Sequence, residues 1–350
     1  MTKLDQWRIG IIGAGLIGGK RATALEPAQD CLTWVADLSL DRATKVAATG
    51  GEPRTKPAHT TTDWRKLAAS PDVDAVIVAT TNDQIPLIAA ECLKSGKHVL
   101  VEKPGGRHPA ELAELQNVSD QVQRTTGHIL RVGFNHRFHP AFLGAKPLVD
   151  SGDYGPLMYI RARYGHGGRV GYDREWRADP KIAGGGELLD QGVHLIDLCR
   201  WLGGEFELKT AHVGTYFWDM PVEDNGFLLL ESPDGKRHAH LHASCTEWKN
   251  LFDFEIFLRY AKIQIWGLGR SYGTEELRIF KMKPEMGPPD TEVRSFPGED
   301  RSWHDEWEAF RQQCNGSSAV STLGKINDAC RAIEIVHAAY RTSGVAWAKP

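Results

Sequence analysis

A doubly wound parallel α/β domain followed by an α+β domain with a large, mostly antiparallel open sheet is what three features of the 350-residue chain predict. Over roughly the first 130 residues, short apolar runs alternate with helix-like stretches, the texture of right-handed crossovers over a parallel sheet. A glycine-rich turn joins the first of those runs to the first helical stretch. Beyond Gly133 the regularity gives way to glycine-broken strands linked by tight turns. At roughly 150 residues per domain the length fits two domains, expected at 1–132 and 133–350.

Taken in order, Ile9–Ile12, Leu32–Ala36, Ala75–Ala79, His98–Val101 and Ile129–Val132 read as buried strands. Gly18–Leu25, Asp41–Ala48, Ile85–Lys94 and Pro109–Gln123 read as the helices between them. Glycines then crowd the chain from Gly152 to Gly186, and one strong helix follows, Glu187–Leu202. Strand alternation marks Met158–Tyr164, Ala211–Trp218, Gly226–Glu231, Arg237–Trp248, Phe252–Tyr260 and Lys262–Trp266, with turn signals such as Pro233-Asp-Gly-Lys. Proline-rich Lys283–Asp300 reads as a loop. Lys325–Arg341 reads as a closing amphipathic helix that packs back on the first domain.

Hydrophobic residues make up 41% and charged residues 25%, an ordinary globular balance that excludes a disordered or fibrous chain. With 42 basic and 45 acidic residues the formal charge is −3, which leaves no electrostatic footprint for nucleic acid or an anionic membrane. Six scattered cysteines form no C-x-x-C pair. Neither a signal peptide nor an apolar run of about 20 residues is present, so a cytoplasmic protein is expected.

Gly13-Ala-Gly15-Leu16-Ile17-Gly18 follows the first strand and opens the first helix. In that setting the first glycine permits the tight turn, the second lets a pyrophosphate reach the backbone, and the third lets helix and strand pack closely. Free N–H groups at the helix start would face the phosphates. Asp37, nineteen residues after Gly18, ends the second strand, where a carboxylate accepts bonds from both ribose hydroxyls and repels a 2′-phosphate. NAD is therefore the expected cofactor, ahead of NADP. Arg42, five residues on, lies in the next helix.

Three further segments complete a pattern: Ala79-Thr80-Thr81-Asn82 with Glu102-Lys103-Pro104, Gly133-Phe-Asn-His-Arg137-Phe-His-Pro140, and Gly184-Gly-Gly-Glu-Leu-Leu-Asp190-Gln-Gly-Val-His194-Leu-Ile-Asp197. With the glycine fingerprint they resemble, in order and spacing over nearly the whole chain, the Gfo/Idh/MocA oxidoreductase family. The resemblance implies a Rossmann domain, a sugar- or inositol-dehydrogenase-like activity, and catalytic roles for Lys103, Asp190 and His194. It also implies cofactor contacts from Thr80, Asn82, Glu102, Lys103, Trp176 and Arg177. The loop Thr81–Pro86 lacks the histidine that many relatives carry there, so no role is transferred to that position. Gly105-Gly106-Arg107 departs from the aliphatic residue common after E-K-P.

The residues support those roles on their own terms. Lys103 lies just past a strand's carboxyl end, where open parallel sheets bind ligands. Asp190 and His194, at i and i+4 on the expected helix, share a face. Oxidising a secondary alcohol needs a base titrating near neutrality, which suits His194, and a donor to the reacting oxygen, which suits Lys103. Asp190 would orient a substrate hydroxyl or the lysine. Asp197 would be a helix-face neighbour or hydrogen-bond partner of His194.

Arg161–Arg177 concentrates cations among aromatic residues. Either it contacts an anionic ring-shaped substrate through Arg163, His166 and Tyr172, or its arginines pair with Asp173, Glu175 and Asp179. His238, His240 and His242 alternate on a strand and span roughly 13 Å, too far for one ion, so no metal is expected. The apolar stretch from Trp248 to Trp266 is core or, if its far face is apolar too, an interface of a homodimer or homotetramer. The expected activity is an NAD-dependent dehydrogenase acting on a ring CH–OH of a sugar, sugar derivative or cyclic polyol. A redox-neutral enzyme with tightly held NAD and a non-catalytic dinucleotide sensor are the alternatives.

Overall fold

The structure is a computed structural model and describes residues 6–49, 57–317 and 322–345. Its chain partitions into two compact units, Met1–Asn135 with Arg301–Cys330, and His136–Asp300 with Arg331–Pro350.

In the first unit the strands are β1 (Trp7–Ile12), β2 (Asp30–Ala36), β3 (His59–Thr61), β4 (Ala75–Val78), β5 (His98–Glu102) and β6 (Leu130–Gly133). Helices α1 (Leu16–Thr23), α2 (Leu40–Thr49), α3 (Trp64–Ala69), α4 (Ile85–Lys94) and α5 (Pro109–Thr126) connect them in turn. The strands form one parallel sheet in the order β3-β2-β1-β4-β5-β6. Every residue of β4, β5 and β6 is buried, as expected of central parallel strands covered on both faces. Order reverses between β1 and β4, so the carboxyl ends of those strands bound the crevice where such sheets bind ligands.

In the second unit, α6 (Pro140–Asp150), β7 (Leu157–Gly165), α7 (Pro180–Ala183) and α8 (Val193–Gly203) precede β8 (Glu207–Gly214), β9 (Asn225–Glu231), β10 (His238–Ser244), β11 (Leu251–Leu258), β12 (Ala261–Trp266), β13 (Glu275–Lys281) and β14 (Asp290–Phe296). These strands make an eight-stranded sheet, β14-β13-β12-β11-β7-β10-β9-β8, antiparallel except where β7 runs parallel to β10. Helix α9 (Ser302–Cys314) then returns to the first unit, and α10 (Ile326–Thr342) closes the chain.

Three readings need correction. Lys283–Asp300 is not all loop: Asp290–Phe296 pairs along β13 as an edge strand. It buries almost nothing, so backbone ladder bonds rather than apolar alternation define it. The helix expected over Glu187–Leu202 opens with a π turn, Leu188–Gly192, before α8 begins. The sequence reading also places no element at β3, α3, α6, β13 or α9.

Candidate active site

The glycine turn shows why each glycine is there. Gly13 has φ +95°, and a Cβ on it would lie 2.3 Å from the Ala79 carbonyl oxygen. A Cβ on Gly18 would lie 1.9 Å from the Gly13 carbonyl oxygen, so helix and strand meet backbone to backbone. Gly15, the residue before α1, has open space where a Cβ would stand. That cradle at a helix start, with exposed Leu16 beside it, fits a pyrophosphate.

Asp37 follows β2, and both of its carboxylate oxygens accept hydrogen bonds. Oδ2 accepts from Ala14 N (2.8 Å), and Oδ1 from Ser39 N (2.8 Å) and from Arg42 Nε and Nη2 (3.0 and 2.7 Å). Burial opposes ionisation, yet Arg42 and the two N–H groups hold the carboxyl below its usual value. Arg42 does lie in α2, but it reaches back to fork onto Asp37, so the charge set against a 2′-phosphate is partly neutralised. Thr80 is half-buried and Asn82 buried in the turn after β4.

Lys103 follows the last residue of β5 and is half-buried. Its neighbour Glu102 accepts from Arg21 Nε at 2.6 Å, and Arg21 Nη2 meets Glu306 Oε2 of α9 at 2.7 Å. Arg21 is wholly buried; burial disfavours its charge, but the two carboxylates hold it protonated. A Cβ on Gly133 would lie 2.5 Å from the Arg21 guanidinium. Glu102 therefore braces the base of the Lys103 turn. The cation at position 21 and the acid at 306 gave no sequence signal, being far apart in the chain.

In the second unit Asp190 sits on the π turn and His194 in the first turn of α8, only 2% exposed. Arg177 Nε donates to Asp190 Oδ2 at 3.0 Å, and that carboxylate is the chief reason the guanidinium is held charged. Trp176 packs under Arg177 with the guanidinium 4.6 Å from its ring centroid. Arg137 clamps Asp197, with Nε 2.8 Å from Oδ2, so Asp197 is a buried structural partner of the helix.

His166 and Tyr172 converge on Glu187, a buried carboxylate that sequence reading missed. Tyr172 Oη donates to Glu187 Oε2 (3.3 Å), and His166 Nε2 lies 3.5 Å from Oε1. Gly168 N donates to His166 Nδ1 at 2.9 Å, which leaves the His166 proton on Nε2, facing Glu187. Burial lowers the affinity of His166 for a second proton, but Glu187 more than restores it. Tyr172 belongs to a core cluster with Ala178, Met220, Val222 and Cys245, and burial drives its hydroxyl pKa upward. Arg163 is not brought to this group. Along β7, Tyr164 faces α8 and is buried, so Arg163, one residue away, points to the opposite sheet face and pairs with Asp253 (3.3 Å). Arg169 and Arg177 both reach Glu175, at 2.7 and 3.6 Å.

The triple glycine is a close-packing device. Cβ atoms on Gly185 and Gly186 would lie 2.1 Å from Tyr340 Oη and 2.0 Å from the Glu223 carbonyl oxygen. Glu223 accepts from Gly186 N (2.8 Å), Leu188 N (3.0 Å) and Tyr340 Oη (2.8 Å), capping the π turn. Burial lifts the Glu223 carboxyl to about 7 against those three donors. No sequence motif marks Glu223 or Tyr340. On β10, His242 stacks on Phe227 and bonds Asn225 at 2.9 Å. Among the described residues, no three His, Cys, Asp or Glu gather to hold a metal ion.

Residues 7–134 match the family model "Oxidoreductase family, NAD-binding Rossmann fold", and residues 142–264 match the "GFO/IDH/MocA C-terminal domain". Levoglucosan dehydrogenase of Pseudarthrobacter phenanthrenivorans is 29% identical over 242 residues, 64% of this chain and 58% of that protein. Trans-1,2-dihydrobenzene-1,2-diol dehydrogenase of Oryctolagus cuniculus is 31% identical over 240 residues, 67% of each chain. The match thus spans 58% of the length of the first of these relatives. A solved structure of levoglucosan dehydrogenase in complex with NADH shares the fold, with a TM-score of 0.82 over 97% of both chains at 22% identity.

Proposed function

Since the chain belongs to the GFO/IDH/MocA oxidoreductase family, we propose that it is an NAD(H)-dependent oxidoreductase acting on a ring secondary alcohol, or its ketone, in a sugar, sugar derivative or cyclic polyol. The relatives named levoglucosan dehydrogenase and inositol 2-dehydrogenase support that substrate class. The observation that carries the reading is the buried His194, one turn beyond an Asp190 held by Arg177, in a chain that also holds the open Gly15 cradle and Asp37.

NAD, when bound, supplies the acceptor for the hydride leaving the alcohol carbon. Gly13, Gly15 and Gly18 would receive its pyrophosphate, Asp37 its adenosine ribose, and Thr80 and Asn82 the nicotinamide side. Lys103 donates a hydrogen bond to the reacting oxygen and stabilises the negative charge that grows there. His194 accepts the hydroxyl proton in oxidation and returns it in reduction. Asp190, held by Arg177, orients a neighbouring substrate hydroxyl. His166 and Tyr172 act through Glu187 by fixing the loop beside that carboxylate.

A cytoplasmic location fits six cysteines that are all free and a structure in which no helix among the described residues is long and apolar enough to cross a membrane. A homodimer or homotetramer is part of this reading, but the outer sheet face carries the ion pairs of Asp253 and Glu255 with Arg163, Arg161 and Lys262 in place of the uniformly apolar surface expected of an interface. Light scattering on the purified protein measures that state.

The functional test follows absorbance at the NADH band with NAD and a panel of levoglucosan, inositols, free sugars, sugar phosphates and nucleotide sugars. NADH formation with a panel member, abolished in His194→Gln, is the expected result. Substrate turnover without net NADH would move the assignment to a redox-neutral reaction. Failure to bind NAD at all would overturn it.

A further inference from the structure

The segment Gly133–Pro140 brings a second imidazole to the candidate base. The His136 ring lies flat on His194, with centroids 3.8 Å apart and planes 11° from parallel. Both rings are nearly buried, at 7% and 2% exposure. Two positive charges at that separation, away from water, repel strongly, so the pair holds at most one proton near neutral pH and titrates as a unit.

We propose that His136 is a positioning residue for His194: its stacked ring fixes the plane of the base, and it takes the proton the pair can hold, so that His194 stays neutral and able to accept one from substrate. This role rests on the dehydrogenase reading above.

The surroundings of the two rings favour His136 as the proton's seat. His136 Nε2 lies 3.3 Å from Tyr164 Oη. Tyr164 is bonded to Tyr272, and burial drives the Tyr164 pKa well above its usual value, so it stays a neutral hydroxyl that can accept from Nε2–H. Burial likewise pushes Tyr272 up to about 12. On its own segment His136 meets His139 edge-on at 5.5 Å, and His139 Nδ1 is 2.8 Å from Glu275 Oε2 of β13, with Asp300 4.0 Å from its Nε2. Phe252 of β11 covers the remaining edge and carries no charge. The carboxylates of the π turn and α8 are instead matched by cations, Asp190 by Arg177 and Asp197 by Arg137. Of the carboxylates not matched by an arginine, Glu187 is engaged by His166 and Tyr172, and Glu275 lies on the His139 side of His136.

The test uses the full-length protein with 13Cε1-labelled histidine, titrated by NMR without substrate. His194→Gln and His136→Phe assign the two resonances among the 14 histidines. His136→Phe keeps a flat ring on His194 and removes the competing site, so His194 should titrate at least about half a pH unit higher than in wild type. His136→Gln, which keeps a polar group toward Tyr164, should give the same shift and serves if the phenylalanine variant does not fold. In the oxidation assay, the acid limb of kcat/KM should move up by the same amount in His136→Phe. Its kcat well above that limb should stay within about three-fold of wild type. A residue that only fills space would leave the limb in place. An unchanged His194 titration overturns the proposal even if the enzyme oxidises its substrate. A shifted titration in a protein that oxidises nothing leaves the pair standing and removes the dehydrogenase reading instead.

Discussion

Replacing Glu223 with glutamine should stabilise the second unit at alkaline pH, although it removes a residue bonded to three donors. Burial sets the Glu223 carboxyl at about 7, against a usual 4.5. Because the folded value is raised, the stability this group contributes is full below about pH 4.5 and is lost as pH rises through about 7. That gap corresponds to about 3 kcal/mol of native-state stability surrendered by about pH 8. The side chain introduced by Glu223→Gln cannot ionise and escapes that loss. Its amide sets one N–H donor against the donors at Gly186, Leu188 or Tyr340, but a protonated carboxyl carries a similar mismatch, so the two proteins should be close near about pH 5. Urea unfolding of both, followed by tryptophan fluorescence from about pH 5 to 8, gives the difference directly. It should grow in favour of Glu223→Gln by about 2.5 kcal/mol across that range. A difference that stays level, or turns against the variant, would show that the three donors outweigh burial and that Glu223 is ionised throughout.

Lys103→Met should bind NAD within a few-fold of wild type by calorimetry yet lose about 10²–10³ in kcat, because the donor to the reacting oxygen is gone; unchanged turnover would remove Lys103 from the chemistry. Asp37→Ala should release Arg42 to meet a 2′-phosphate, raising the ratio of NADP to NAD affinity by at least about ten-fold; an unchanged ratio in paired titrations would mean that Asp37 does not read the ribose. Arg21→Met leaves Glu102 and Glu306 facing each other in the interior and should cost about 3–5 kcal/mol by chemical denaturation. A loss below about 1 kcal/mol would mean that the triad does not hold the Lys103 turn in place.

The parallel sheet, the glycine turn and the positions of Asp37, Lys103, Asp190 and His194 could be read along the chain. They are set by local rules: a period in apolar residues, a backbone that must pass within contact of its neighbour, a carboxylate at a strand end. Gly13 and Gly18 are glycines because carbonyl oxygens stand where a side chain would be, and that constraint is written in a six-residue motif. Other features turned on contacts between distant segments. Arg163 sits in the same basic stretch as His166, but the pleat of β7 points it to the opposite sheet face. Asp290–Phe296 became a strand because β13 offered a free edge, not because its own residues are apolar. Tyr340 and Glu223, 117 residues apart, meet at the triple glycine and fix the π turn that carries Asp190. His136 lies 58 residues before His194 and is stacked on it. A buried polar side chain takes its role from whichever group completes its hydrogen bonds, and folding selects that group from anywhere in the chain.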